Sequence, residues 1–199
     1  MQNRGLIMKY DLTKKPTRGA QRTLASFSTT MINLLSKEPF EKISVNKICN
    51  ISNFPRATFY NYFDDKFDLV DYCWYVIAQE IEVDKVTELK SNKTLIIYFD
   101  RLYDVFKDNQ PLLDNILLYN DFSGQLVNSF VNYFKNTVQE ILEQSIDYSK
   151  TGLPVELMAD HCSETVILVL KWIFLKRHDA DKKLAHEYLE KLLNLDQFI

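Results

Sequence analysis

Apolar residues along this chain recur at helical rather than strand spacing. Leu24, Phe27, Met31, Leu34 and Leu35 fall three and four apart, which predicts an amphipathic helix that opens at Thr17 and is stopped by Pro39. Ser44 then suits an N-cap, because its hydroxyl can accept a bond from an orphan backbone N–H. The short helix behind it turns Val45, Ile48 and Cys49 inward. Asn53 suits a tight turn, since Asn tolerates left-handed backbone angles better than most residues with a side chain. Pro55 fits the first turn of the next helix, where a missing N–H costs little. That helix puts Phe59 and Phe63 on one face, and Asp64 and Asp65 favour the start of a further one.

Downstream, the pattern predicts helices over residues 65–88, 93–108, 111–119, 122–146, 154–177 and 181–194. The first should turn Phe67, Val70, Trp74, Ile77 and Ile81 inward. Ser91-Asn92 reads as a polar break, and residues 148–154 as a loop. Only 4 Gly and 5 Pro in 199 residues leave little material for β-hairpin turns, so the expected fold class is all-α. A hydrophobic share of 46% suffices for a real core, so disorder is not expected.

Charge divides the chain. Residues 1–67 hold 11 Lys/Arg and 5 Asp/Glu, whereas residues 68–199 hold 13 and 22. A basic head on an acidic body suggests a polyanionic partner for the head alone. No apolar run approaches the roughly 20 residues that cross a bilayer. No membrane role and no signal peptide are expected. Cys49, Cys73 and Cys162 are far apart and lack C-x-x-C spacing, which disfavours a disulfide framework or a zinc site and suits a reducing cytoplasm. His161 and Cys162 are neighbours on different helix faces, and His178 and His186 lack tight ligand spacing, so neither a metal nor a cofactor is expected. The chain carries no phosphate loop, no G-x-S-x-G and no H-E-x-x-H, so an enzyme is not expected.

Two short helices joined by a tight turn, the second rich in small polar groups, form the pattern of a DNA-binding helix-turn-helix. A major groove of about 12 Å admits one helix, which needs polar side chains in front and an apolar back. Here Arg56, Thr58, Tyr60 and Asn61 are polar, Phe59 and Phe63 are apolar, and Ala57 is small enough to approach a base. Lys47 is a further basic residue on the preceding helix.

The string I-S-V-N-K-I-C-N-I-S-N-F-P-R-A-T-F-Y-N-Y-F-D-D-K resembles the helix-turn-helix of the TetR/AcrR family of bacterial regulators. The most specific piece is R-A-T-F-Y-x-x-F followed by an acidic pair, Lys66 and Leu69. The resemblance covers residues 17–75 and implies the following assignments. Ser44 would cap its helix and touch phosphate. Arg56, Ala57 and Thr58 would face the groove. Tyr60 and Tyr62 would contact phosphates, as would Lys66. The sequence departs from the family at Asn53 (usually Gly), Phe54 (usually Val) and Pro55 (usually Ser). Pro55 has neither hydroxyl nor N–H, which removes one phosphate contact common in the family.

Residues 1–16 lack apolar periodicity and end in K-K-P, so they are expected to form a flexible basic arm, and the resemblance implies residues 17–64 as a three-helix DNA-binding domain and 65–199 as a helical ligand-binding and dimerisation domain. The expected product is a cytoplasmic homodimeric repressor that binds a palindromic duplex operator and is released by a small effector. An alternative is an activator-type or ligand-independent regulator whose body recruits a protein. The aromatic middle of the chain (Tyr103, Phe106, Tyr119, Phe130, Tyr133 and Phe134, with Trp172) could line a cavity for a flat or apolar effector, or simply be core. The run Val166–Leu170 is apolar on all sides of a helix and calls for cover from a second copy. Val166, Leu170, Ile173, Phe174, Leu189 and Leu192 are therefore the expected dimer contacts.

Overall fold

The computed structural model describes residues 9–12, 15–80, 94–145 and 152–193. Every regular element among them is helical. Ile81, the Ser91-Asn92 break and most of the 148–154 loop lie outside the described residues, as do residues 1–8 of the arm. Helix α1 (Arg18–Leu35) opens at Thr17, whose hydroxyl accepts the Ala20 N–H at 3.2 Å. Leu24, Phe27, Met31, Leu34 and Leu35 form its buried face. It stops before Pro39, at Ser36, whose N–H turns back to the Ile32 and Leu34 carbonyls. Pro39 instead leads into a 3-10 turn, Phe40–Lys42.

Helices α2 (Val45–Ser52), α3 (Arg56–Tyr62) and α4 (Lys66–Glu80) follow. The chain continues through α5 (Thr94–Asp108), α6 (Gln110–Tyr119), α7 (Gln125–Ser145), α8 (Val155–Leu170) and α9 (Lys182–Leu193). A single π-helical stretch, Lys171–Leu175, extends α8. No helix among the described residues is long and apolar enough to cross a membrane.

Two compact units divide the chain. The first contains the residues through Ile77 together with Pro111–Phe130, and the second contains Ala78–Gln110 and the chain from Val131. This division runs differently from a boundary after residue 64, because α6 and the first turns of α7 fold with the head. Asn120 shows why. Its side-chain oxygen accepts the buried Phe40 N–H at 2.8 Å, and its amide donates to the Leu35 carbonyl at 3.1 Å and the Ile116 carbonyl at 2.8 Å. One short side chain thus satisfies backbone groups that α1 and the 3-10 turn leave open. A second link runs from the Trp74 indole N–H to Ser129 Oγ at 3.0 Å, and from that hydroxyl to Asp71 at 3.0 Å.

The core of this unit is aromatic. The Phe27 ring lies 5.3 Å from Phe54, 5.4 Å from Phe59 and 6.1 Å from Phe63, centre to centre. Val70 and Trp74 are buried as expected, and Ile77 is half-buried. Phe67 is the exception at 43% exposed: it sits at the start of α4 with one edge against Phe40, 5.1 Å away.

In the second unit, Tyr103 and Phe106 of α5 pack on Phe174 at 5.1 and 5.2 Å. The Tyr103 hydroxyl donates to the Ala180 carbonyl at 2.8 Å. His186 of α9 pairs with Asp100 of α5 beside the Phe99 ring, and Lys182 pairs with Asp104 one turn away. Lys135 bridges Asp160 and Glu164 at 2.9 and 2.7 Å.

Replacing Asn120 by Ala leaves the buried Phe40 N–H and Leu35 carbonyl unpaired, and should cost about 2–4 kcal/mol in chemical denaturation. An unchanged midpoint would show that water takes over both bonds.

Candidate nucleic-acid interface

The head presents a helix pair whose geometry follows from local rules. Ser44 caps α2 by accepting the Lys47 N–H at 3.2 Å. A hydroxyl has one donor and two lone pairs, so its own O–H remains to donate outward. Asn53 ends α2 with φ 57° and ψ 40°, the left-handed conformation its residue type tolerates. Its N–H and that of Phe54 both return to the Cys49 carbonyl. Phe54 then lays its ring on Phe27, which gives the larger side chain at this turn a packing partner. Pro55 precedes α3 as its N-cap, with no side-chain bond to offer, and α3 winds from Arg56.

Burial separates the two faces of α3 cleanly. Phe59 and the following Phe63 are fully buried. Arg56, Ala57, Tyr60 and Asn61 are exposed, and Thr58 and Tyr62 are half-buried. Arg56 donates to the Tyr60 hydroxyl at 3.2 Å, with its guanidinium 5.6 Å from the ring centre. Each therefore limits the other's rotamers one turn apart, a form of preorganisation. Lys47 is exposed too, but its ammonium already meets the Glu38 carboxylate at 2.6 Å. Glu38 was not expected here: it lies across the α1–α2 connection, where helical periodicity says nothing.

Lys66 corrects an expectation. Instead of facing outward to phosphate, its ammonium donates to the carbonyls of Phe40 at 2.8 Å, Ile43 at 3.0 Å and Glu41 at 3.3 Å. It also sits 4.3 Å from the Phe40 ring centre. An ammonium has three donors, and all three are engaged. Desolvation draws its pKa below the usual lysine value, against the pull of Glu41 and Asp65. Lys66 thus closes the 3-10 turn. Asp65 completes the junction by capping α4, its carboxylate accepting the Phe67 and Asp68 N–H groups at 2.8 and 3.0 Å.

The residues expected to line an effector cavity divide between the two units. Tyr119 and Phe130 belong to the first unit. Tyr119 is exposed, and Phe130 packs on Trp74 at 5.0 Å. Trp172 is exposed and stacked on His178, with ring centres 3.6 Å apart. Tyr103, Phe106, Tyr133 and Phe134 are buried in the second unit. So is Tyr98, whose hydroxyl finds no partner among the described residues. Burial pushes the Tyr98 phenol well above its usual range, with a smaller push from Tyr133. No group of three His, Cys, Asp or Glu among the described residues could hold a metal ion.

The expected dimer contacts also change. Val166, Leu170, Ile173, Phe174 and Leu189 are buried within the chain, because α8 and its extension form the centre of their own unit. The outward positions of the same helices are Leu157 (54% exposed), Leu168 (51%), Trp172 (42%) and, on α9, Leu192 (52%). Leu157, His161, Glu164, Leu168 and Trp172 recur at spacings of three and four, so they form one stripe.

Solved structures resemble this chain throughout. A TetR-family transcriptional regulator from Syntrophomonas wolfei shares 20% identity at a TM-score of 0.62, over 88% of this chain and 93% of that one. A fatty acid degradation regulator, FadR, from Bacillus halodurans shares 16% at 0.59, over 90% and 97%. The dihydroxyacetone kinase operon activator DhaS shares 18% at 0.54, over 86% and 94%. No protein-family profile and no curated protein sequence matches the chain. The fold is that of TetR-family regulators: an N-terminal helix-turn-helix and a helical remainder.

Lys66→Met keeps the length of the side chain and removes its donors. It should destabilise the head by about 1–3 kcal/mol in thermal or urea unfolding.

Proposed function

We propose that the protein is a TetR-type transcriptional regulator that inserts α3 into the major groove of duplex DNA. The observation that carries this is the division of α3 into a buried aromatic back and an exposed front of Arg56, Ala57, Tyr60 and Asn61. Thr58 and Tyr62 flank that front, and Ser44 and Lys47 lie on the preceding helix. Arg56 is the strongest candidate for a base contact, because a guanidinium can donate twice to guanine. Ser44, Tyr60, Tyr62 and Lys47 suit phosphates, which set register rather than sequence. Catalysis has no part in this reading.

The regulator acts as a two-fold dimer on a palindrome, with Leu157, Leu168 and Trp172 of the stripe and the exposed Leu192 of α9 as its contact residues. Exposed apolar side chains at helical spacing favour burial against a second copy. An effector enters the second unit beside Tyr98. A fully buried hydroxyl without a partner is rare in native interiors, and a bound polar group would satisfy it. Release of DNA on effector binding makes the protein a repressor. Activation is the alternative, and the name of the similar DhaS, an operon activator, keeps it in play.

Arg56→Ala should weaken binding to the cognate duplex by about 1–3 kcal/mol in an anisotropy titration, with the thermal melt unchanged. Equal affinity would remove Arg56 from the interface. Leu168→Arg should convert the dimer to a monomer in light scattering, and a persistent dimer would place the contact elsewhere. Tyr98→Phe should raise the melting temperature of the free protein by removing a buried hydroxyl that has no partner among the described residues, a gain of about 1–3 kcal/mol. A loss of stability instead would mean that the hydroxyl is already satisfied.

A further inference from the structure

Glu38 meets Lys47 with both carboxylate oxygens. The ammonium lies 2.6 Å from Oε1 and 2.7 Å from Oε2. Local structure fixes both ends of this pair. The Glu38 N–H donates to the Leu34 carbonyl at 3.0 Å, and the next residue is Pro39, whose ring restricts the backbone of the residue before it. Lys47 lies in the first turn of α2, where its N–H donates to Ser44 Oγ. The Glu38 side chain is 19% exposed and that of Lys47 44%, so the carboxylate is the enclosed partner and the ammonium the one at the surface. An ion pair this open to water contributes little to stability. Its consequence falls instead on what the ammonium can still attract.

A duplex phosphate at the start of α2 would need that same ammonium. Just beyond the C-terminal end of α3 a second lysine is engaged in the same way. The Lys9 ammonium meets Asp64 Oδ1 at 2.9 Å, beside a Tyr10 ring packed 5.8 Å from Tyr62. Arg56 differs. Its bond goes to the neutral Tyr60 hydroxyl, which offsets none of its charge. An acid thus neutralises the cation suited to phosphate, while the cation suited to a base rests on a neutral partner.

We propose that Glu38 is an intramolecular competitor for the DNA backbone: it occupies Lys47 in place of a phosphate, and duplex must displace it before Lys47 can contribute. A lysine that neutralises a phosphate releases counterions, which adds to both affinity and salt dependence. A lysine held by Glu38 releases fewer, because its charge is already compensated. The sequence-independent hold on DNA is lowered in this way, while base readout by Arg56 is left in place. This inference rests on the DNA-binding reading above and gives Glu38 a role within it.

The test uses the full chain and a labelled, mixed-sequence duplex, titrated by anisotropy over a range of KCl concentrations. Four variants are compared with the parent: Glu38→Gln, Lys47→Gln, the two together, and Glu41→Gln. Glu38→Gln should tighten binding about threefold to tenfold at low salt and steepen the salt slope by up to about 0.9, the value of one phosphate contact. Its melting curve should match the parent's, because the pair is open to water. With Lys47→Gln already in place, Glu38→Gln should leave the salt slope unchanged, since no lysine is released. Glu41→Gln removes an equal charge from an exposed acid on the 3-10 turn and should also leave the slope unchanged. A parent that binds no duplex at any salt would defeat the DNA-binding reading itself. A parent that binds, with the same affinity and slope in Glu38→Gln, overturns the role of Glu38 alone. A steeper slope that persists in the Lys47→Gln background, or that Glu41→Gln reproduces, makes the effect one of net charge and overturns the competition for Lys47.

Discussion

Everything proposed for the head depends on the burial of Phe59 and Phe63 against Phe27. Helix α3 has only 7 residues. An isolated helix needs about 12–15 residues even to be marginal in water, so α3 exists because its aromatic back is packed. That packing has a second consequence. With both rings fixed at fully buried positions, the helix cannot roll, and Arg56, Ala57, Tyr60 and Asn61 must face outward. The front of the helix is thus set by its back. Truncating Phe59 would remove the interface and the local fold together, at a cost of about 3–5 kcal/mol.

The junctions around α3 are held by polar groups in fixed roles. Asn53 takes the left-handed turn, Asp65 caps α4, Lys66 closes three carbonyls, and Asn120 ties α6 to the α1 end of the head. With these bonds in place, Pro111–Phe130 belongs to the same compact unit as the three helices of the head. The Trp74–Ser129–Asp71 chain strengthens the same union from the side of α4.

Much of this was legible in the sequence, for a physical reason. Helical periodicity reports local amphipathicity, so the buried faces of α1 and α3 and the caps at Thr17, Ser44 and Asn53 could be read residue by residue. What escaped were features set by partners distant along the chain. Lys66 looks like a surface lysine until the Phe40 carbonyl, 26 residues away, is seen beneath it. Glu38 beside Lys47 and Tyr10 beside Tyr62 are of the same kind, although Tyr10 is the one aromatic residue in a basic arm, which was a signal. Apolar strength misled in α8. It marked Val166 and Leu170 as contacts for a second copy, whereas the most apolar positions are those the chain keeps for its own interior.

The central claim is that the outer face of α3 reads duplex DNA as part of a two-fold pair. Its most direct test is selection from a randomised duplex library by the purified protein, followed by sequencing of the bound fraction. The account predicts enrichment of a palindrome whose half-sites lie on one face of the helix, with centres about 10–10.5 bp or a multiple apart. Enrichment of no sequence over the input, at salt concentrations low enough for phosphate contacts to form, would contradict it.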